Sequence, residues 1–219
     1  MISRLFVDPV VTVTATDAMW SGELHPEEAA CIPRALAKRR REFTAGRLCA
    51  RAALEKLGVH DFPLVVGKQR VPVWPAGVVG SISHCEGYCG VAVAPRGEVL
   101  GIGLDAERAD PLESELLARI CSGLEIERNA RLPAGRGAPD PGKLTFCAKE
   151  AFYKCYYPLT GTFLGFKDVE VELDPGQSRF QARLCRPETP SVCGVRELEG
   201  RLAWSDELVF AGVTLRKPG

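Results

Sequence analysis

Apolar and polar positions in the first half of the chain predict one long helix and several strands. Residues 33–57 repeat apolar side chains at helical spacing, and Gly58 is a natural C-terminal stop. Short apolar segments predict strands at 81–83 and 88–94. A turn at 95–98 then leads into an apolar run that ends at Asp105, whereas residues 66–80, rich in glycine and proline, predict a loop.

The second half repeats this order of helix followed by strands. A helix is predicted near Glu113, and another starts near Thr145 and ends by Pro158. Residues 133–142 predict no regular structure. Alternating segments predict strands at 169–173 and 180–184 and a hairpin over 201–215. The pattern therefore predicts an α+β protein with two similar helix-plus-antiparallel-sheet halves, 1–104 and 105–219.

The two predicted long helices can be aligned with one another. The alignment places Phe43 on Phe146 and Arg47 on Glu150. An internal duplication is therefore a hypothesis, and it would put an active cleft between the halves.

The charged residues indicate a local binding site for an anion, whereas the net charge of the whole chain indicates no class of partner. The chain of 219 residues has 28 basic and 28 acidic side chains, so its net charge favours neither nucleic acid nor a membrane surface as a partner. Residues 34–51, however, hold seven arginines and lysines against the single acid Glu42. This segment predicts a local anion site.

The nine cysteines are an odd number, and the first residues lack the apolar stretch expected of a signal peptide, so we expect none. We therefore expect a reduced, cytoplasmic protein whose cysteines are mostly small buried residues. A monomer is a separate expectation. A metal site at His84, Cys85 and Cys89 is a weaker alternative, because no second paired-cysteine motif accompanies it.

Two acidic motifs carry the candidate chemistry. Asp105 and Glu107 share one face of a strand, and Glu150 and Lys154 share one face of a helix. If the three carboxylates converge, their oxygen ligands favour Mg²⁺, with Mn²⁺ also possible. The alternative is a solvated acidic turn and an ordinary surface ion pair.

Four sequence blocks follow one another along the chain: 39–47 with Ala53, Leu54, Leu57 and Gly58; 70–75 running into 80–84; 103–107; and 146–154. The third block alone is a weak signal, but all four in this order are specific. Together they resemble the Sfp/EntD-type 4'-phosphopantetheinyl transferases, and the tryptophan–proline pair of the second block is most similar to the enterobactin-type branch.

The resemblance implies a pseudo-dimeric fold and an enzyme that transfers 4'-phosphopantetheine from coenzyme A to a serine of an apo acyl, peptidyl or aryl carrier protein. The N-terminal half would bind coenzyme A, and the C-terminal half would hold the metal and catalytic residues. Asp105, Glu107 and Glu150 would bind Mg²⁺, with Glu150 as the base and Lys154 beside the leaving adenosine 3',5'-bisphosphate. The implied coenzyme A contacts are Arg39, Arg40, Arg47, Arg70, Ser83, His84, Lys149 and Lys154.

Other functions fit the residues less well. A coenzyme A-binding or carrier-docking module without catalysis would not need the carboxylates, and a Mg²⁺-dependent nuclease would favour a basic surface. A Ser83–His84 hydrolase is disfavoured, because adjacent strand residues face opposite ways. An exposed apolar patch for a carrier helix is expected among Leu112, Leu116, Leu117 and Ile120. The carrier and its pathway are not indicated.

Overall fold

The structure is a computed structural model, and it describes residues 1–132 and 139–217. Within these ranges the chain forms five α-helices and eight β-strands. The helices are α1 (Pro26–Ala30), α2 (Ala37–Glu55), α3 (Ser114–Ile120), α4 (Gly123–Asn129) and α5 (Pro141–Thr160). The strands are β1 (Val11–Thr14), β2 (Val78–Cys85), β3 (Tyr88–Pro95), β4 (Val99–Arg108), β5 (Val169–Asp174), β6 (Arg179–Leu184), β7 (Glu197–Trp204) and β8 (Leu208–Arg216).

The first half packs α2 on a three-stranded antiparallel sheet of order β1-β3-β2. The helix face toward the sheet consists of small residues, among them Ala45, Cys49 and Ala53, which are completely buried. Val91 and Val93 of β3 pack against them. Small side chains let the helix lie close to the strands, which explains why the cysteine and alanines form core.

The second half packs α5 on a five-stranded antiparallel sheet of order β4-β8-β7-β6-β5. In β5, Val169, Val171 and Leu173 face the core and the acidic residues between them face outward, as their alternation predicts. Gly103 of β4 lies directly beneath α5: a Cβ atom there would be only 1.7 Å from the carbonyl oxygen of Ala151. The helix backbone therefore lies against the strand backbone at this point.

The two halves meet where β2 crosses β4. Side-chain oxygens of β2 accept hydrogen bonds from backbone groups of β4: Ser81 Oγ from the Leu104 amide and Ser83 Oγ from the Ala106 amide, both at 3.0 Å. The α+β prediction with two helix-plus-sheet halves is confirmed. None of the helices in the described ranges is long and apolar enough to span a membrane.

Several predicted bounds need correction. The strands near 81–83 and 88–94 and the hairpin of the last strands are present. Helix α5, however, begins at Pro141 instead of Thr145, because the Asp140 side chain caps it by accepting from the Lys143 amide at 2.8 Å. It also continues past Pro158, which is exposed in the last turn, and Gly161 ends it. Of the predicted irregular segment 133–142, residues 133–138 lie outside the described part.

The predicted division at residue 104 falls inside β4. This strand pairs with β8 along its length and belongs to the second sheet. We therefore propose that the halves divide in the turn between Pro95 and Val99.

Candidate active site

A cleft with a volume of about 260 Å³ opens between α2 and α5. Its walls come from both halves, because α2 and the loop before β2 face α5 across it. Charged and aromatic side chains both line it. The lining residues include Arg39, Glu42, Phe43 and Arg47 of α2, Gln69 and Arg70 of the loop, His84 of β2, and Glu150, Tyr153, Lys154 and Tyr157 of α5.

Helix α5 presents one continuous face to the cleft. Glu150, Tyr153, Lys154 and Tyr157 stand at helical positions i, i+3, i+4 and i+7, which share a face. The Tyr153 ring packs on Tyr157 at 5.4 Å and edge-on to Phe163 at 6.0 Å between centroids. The tyrosines were missed in the sequence analysis, although their spacing from Glu150 could have identified them.

Lys154 and Asp105 form an ion pair beside this cleft. Lys154 Nζ lies 2.6 Å from Asp105 Oδ1 and donates a second hydrogen bond to Ser83 Oγ at 3.0 Å. Burial alone would lower the pKa of Lys154, but the Asp105 carboxylate raises it, and the net direction is upward. Lys154 is therefore a cation at neutral pH.

The three predicted carboxylates lie close enough to interact electrostatically. Burial, followed by repulsion from Asp105, raises the pKa of Glu107 to about 7 and also raises that of Glu150. Asp105 Oδ2 is buried without a hydrogen-bond partner among the described residues. An oxygen-only donor set with an unpartnered buried oxygen fits Mg²⁺ or Mn²⁺. In the described ranges, however, no three acidic, histidine or cysteine side chains form a closed metal-ligand cluster.

Arg39, His84 and Glu42 form a second polar group at the cleft. Arg39 Nη1 donates to His84 Nε2 at 2.9 Å, and Glu42 Oε2 lies 3.8 Å from both Arg39 Nη1 and His84 Nδ1. Burial is the main cause that lowers the pKa of His84, and the Arg39 charge acts in the same direction. At neutral pH His84 is therefore uncharged, and its Nε2 accepts the hydrogen bond from Arg39. Glu42 was missed, because its contact with His84 joins distant positions.

Arg47 is a buried cation in the cleft wall. Its guanidinium lies over the Phe43 ring, 3.8 Å from the centroid, and its Nε donates to the Leu64 carbonyl at 2.9 Å. Burial lowers the pKa of Arg47 to about 10, so the side chain remains charged at neutral pH. The packing holds this charge at a fixed position in the wall.

Arg70 reaches the cleft from the tip of a tight loop. Gln69 and Arg70 both have left-handed backbone conformations, with φ of 52° and 64°. The amide of Gly67 donates to the Val71 carbonyl at 2.8 Å and closes the loop behind them. Two consecutive non-glycine residues with positive φ are uncommon, and here they direct the loop tip to the cleft.

Three of the predicted contacts, Arg40, Ser83 and Lys149, do not line this cleft, and the first and last of them lie away from it. Arg40 is exposed, and its Nη2 donates to the Ile32 carbonyl at 3.3 Å. Lys149 is buried, and its Nζ donates to Glu125 Oε2 at 2.8 Å and to two backbone carbonyls at 2.9 Å. Helical geometry turns Lys149 away from Glu150 and into the core, so we leave both residues out of the proposed site.

Family profiles match both halves of the chain. The 4'-phosphopantetheinyl transferase N-terminal domain matches residues 27–94, and the 4'-phosphopantetheinyl transferase superfamily matches residues 101–205. The chain belongs to the 4'-phosphopantetheinyl transferase family. Its family resemblance is thus confirmed, and the protein is an enzyme that transfers phosphopantetheine from coenzyme A to carrier proteins. The nuclease and non-catalytic alternatives are set aside.

Curated relatives of this transferase cover most of its length. It is 43% identical to 4'-phosphopantetheinyl transferase Svp of Streptomyces mobaraensis over 89% of this chain and 80% of Svp. It is 40% identical to 4'-phosphopantetheinyl transferase PptT of Mycobacterium tuberculosis (strain ATCC 25618 / H37Rv) over 87% of this chain and 85% of PptT. It is also 38% identical to enterobactin synthase component D of Escherichia coli (strain K12), over 61% of this chain and 62% of that protein.

Proposed function

We propose that this transferase is Mg²⁺-dependent, modifies a serine of an acyl, peptidyl or aryl carrier protein, and uses the cleft between α2 and α5 as its active site. The observation that supports this most strongly is the position of Glu150 and Lys154 on one helix face. Both line the cleft together with Arg39, Arg47 and Arg70, and Lys154 forms an ion pair with the buried Asp105 carboxylate.

The basic wall suits the phosphates of coenzyme A. That substrate has a pyrophosphate and a 3'-phosphate, and charge-assisted hydrogen bonds from guanidinium groups bind such groups strongly. Arg47 is held in place by Phe43, which reduces the entropy that its side chain loses on binding. Arg39, Arg70 and His84 complete the proposed phosphate contacts.

Asp105, Glu107 and Glu150 are the proposed metal ligands. Their mutual repulsion and the unpartnered Asp105 Oδ2 support this choice. When bound, Mg²⁺ or Mn²⁺ would neutralise negative charge on the pyrophosphate.

The residues of the chain would share the transfer step. The carrier serine oxygen bonds to the phosphorus next to the pantetheine, and the bond from that phosphorus to the bridging oxygen breaks. Glu150 accepts the serine proton as the general base, directly or through a water molecule. Lys154 lies beside Asp105 and stabilises the charge on the departing adenosine 3',5'-bisphosphate.

The carrier-docking surface is proposed on α3 and α4. Leu116 is 40% exposed and Leu124 is 47% exposed, whereas Ile120 is completely buried. The sequence analysis expected an exposed patch among Leu112, Leu116, Leu117 and Ile120; of these, Leu116 is exposed, whereas Ile120 belongs to the core. An amphipathic carrier helix could bury such exposed leucines.

Mass spectrometry tests the proposal. An apo carrier protein incubated with the enzyme, coenzyme A and Mg²⁺ should gain the mass of phosphopantetheine. Omission of coenzyme A and replacement of the carrier serine by alanine are the controls. Full transfer in the presence of EDTA would contradict the metal requirement. The cytoplasmic location and the monomeric state stay predictions.

A further inference from the structure

Ser83 uses all the hydrogen-bonding capacity of its hydroxyl inside the protein. Ser83 Oγ donates to Asp105 Oδ1 at 2.9 Å and accepts from the Ala106 amide and from Lys154 Nζ, both at 3.0 Å. A hydroxyl has one hydrogen and two lone pairs, so these three contacts saturate it. The residue is only 2% exposed.

This arrangement differs from the predicted role of Ser83 as a coenzyme A contact. Adjacent strand residues face opposite sides, and within the described chain it is His84 of this pair that lines the cleft. Ser83 faces β4. A phosphate at Ser83 would have to replace Asp105, the Ala106 amide or Lys154.

Ser81, two residues earlier, offers an internal comparison. Ser81 Oγ accepts from the Leu104 amide at 3.0 Å, as Ser83 Oγ accepts from the Ala106 amide. Both serines therefore attach β2 to β4. Within the described residues, only Ser83 extends this contact to Asp105 and Lys154.

We propose that Ser83 is a positioning residue that orients the Asp105 carboxylate. Ser83 and Lys154 together hold Oδ1, and the carboxylate therefore presents Oδ2, which has no hydrogen-bond partner among the described residues, to a divalent cation. The inference rests on the proposed function, since it takes Asp105 as a metal ligand. It goes further by giving Ser83 an indirect role in metal binding and none in phosphate binding.

The experiment compares Ser83→Ala with the matched control Ser81→Ala. Each substitution removes a hydroxyl that accepts a hydrogen bond from a backbone amide of β4. Only Ser83→Ala also removes the hydroxyl that donates to Asp105 Oδ1. Mn²⁺ binding is followed by electron paramagnetic resonance at saturating coenzyme A, coenzyme A binding by calorimetry in EDTA, and folding by thermal unfolding. Loss of an outer-shell partner weakens metal binding by about 10- to 100-fold, which is the effect expected for Ser83→Ala. Ser81→Ala should remain close to wild type in Mn²⁺ binding.

Two further variants keep the test decisive. Ser83→Thr retains the hydroxyl and should restore Mn²⁺ binding. If Ser83→Ala does not fold, Ser83→Cys preserves the side-chain size with a weaker hydrogen-bonding group and should still weaken Mn²⁺ binding. In Ser83→Ala, coenzyme A binding in EDTA should be unchanged, whereas Ser81 lines the cleft, so Ser81→Ala is the control for Mn²⁺ binding and folding only.

Two results would overturn the role of Ser83: Mn²⁺ binding unchanged in folded Ser83→Ala or Ser83→Cys, or a loss of coenzyme A affinity in EDTA that disappears with dephospho-coenzyme A. Asp105→Ala separates this failure from that of the proposed function. If Asp105→Ala loses Mn²⁺ binding while Ser83→Ala does not, the inference alone fails. If Asp105→Ala also binds Mn²⁺ normally, the proposed metal site is wrong.

Discussion

Lys149 Nζ lies 2.8 Å from Glu125 Oε2 in an ion pair that is almost completely shielded from water. Lys149 also donates to the carbonyls of Ile120 and Phe166, each at 2.9 Å. Glu125 in turn accepts from the Val171 amide at 2.7 Å. Through these contacts the ion pair connects α3, α4 and β5 to α5, the helix that also contains Glu150.

Lys149→Ala should reduce stability and leave coenzyme A binding intact. Removal of one partner from a buried ion pair costs about 3–5 kcal/mol, because the other charge stays buried without a counterion. Urea denaturation measures the loss. Arg128→Ala is the control: it breaks a partly exposed pair with Glu170, for which we expect less than about 1 kcal/mol. A large fall in coenzyme A affinity with unchanged stability would instead support the contact predicted from the sequence.

Glu150→Gln should separate chemistry from binding. The amide offers a neutral oxygen to the metal but cannot accept the serine proton. At saturating Mg²⁺ we expect coenzyme A affinity within a few-fold of wild type, while transfer falls about 100- to 10,000-fold, as is typical of a lost general base. Calorimetry and single-turnover mass spectrometry give the two values. Near-normal turnover would mean that another group takes the proton.

Alanine at Arg47, Arg70 or His84 should weaken coenzyme A binding. Each lost charge-assisted hydrogen bond is worth about 1.5–3 kcal/mol. Arg40→Ala is the matched control, since Arg40 donates to the Ile32 carbonyl outside the cleft. The measurement is repeated with dephospho-coenzyme A, which lacks the 3'-phosphate. The loss of affinity should then be smaller for the variant whose residue binds that phosphate. Equal affinity in all three variants and the control would reject the proposed phosphate contacts.

Removal of divalent metal should abolish transfer. Three carboxylates beside a pyrophosphate repel one another and the substrate unless a cation compensates them. Treatment with EDTA followed by stepwise addition of Mg²⁺ or Mn²⁺ should restore activity in wild type, whereas Asp105→Ala should remain inactive at every metal concentration. The measurement is the rate of carrier modification, and full activity of metal-free enzyme would be incompatible with the proposed mechanism.

Leu116→Asp should raise the KM for the carrier and leave the KM for coenzyme A unchanged. A carboxylate in an apolar contact loses hydration without gaining a partner. Val7→Asp is the control, because Val7 is similarly exposed, at 50% against 40% for Leu116, and does not line the cleft. Steady-state kinetics with a purified apo carrier provides both constants. An equal effect of the two substitutions would argue against α3 as the docking surface.

The parts of the site that depend on local spacing could be predicted from the sequence. Asp105 and Glu107 share a face because strand side chains alternate, and Glu150 and Lys154 share one because a helix turn has about 3.6 residues. The same reasoning does not identify the partner of Lys149. Helical periodicity shows that Lys149 and Glu150 point in different directions. It cannot show that Lys149 contacts Glu125, because that residue belongs to a separate helix.

Contacts between distant segments account for most of what was missed. The pairing of Arg39 with His84 depends on how α2 packs beside β2, which no local pattern records. By contrast, the first turn of α5 had a readable signal: Asp140 followed by Pro141 is a favourable helix start. The glycines and prolines before it obscured this signal. The elements β1, α1 and α4 were missed for a different reason, because they are too short to show a clear periodicity.

Gly103 gives the active site its spacing. Because the α5 backbone lies against this residue, any side chain there would act as a wedge between helix and strand. The wedge would move Glu150 and Lys154 together, relative to Asp105, and would alter no reacting group. We therefore expect a substitution at Gly103 to act on the proposed site only by displacing backbone, because the residue contributes nothing there except its lack of volume.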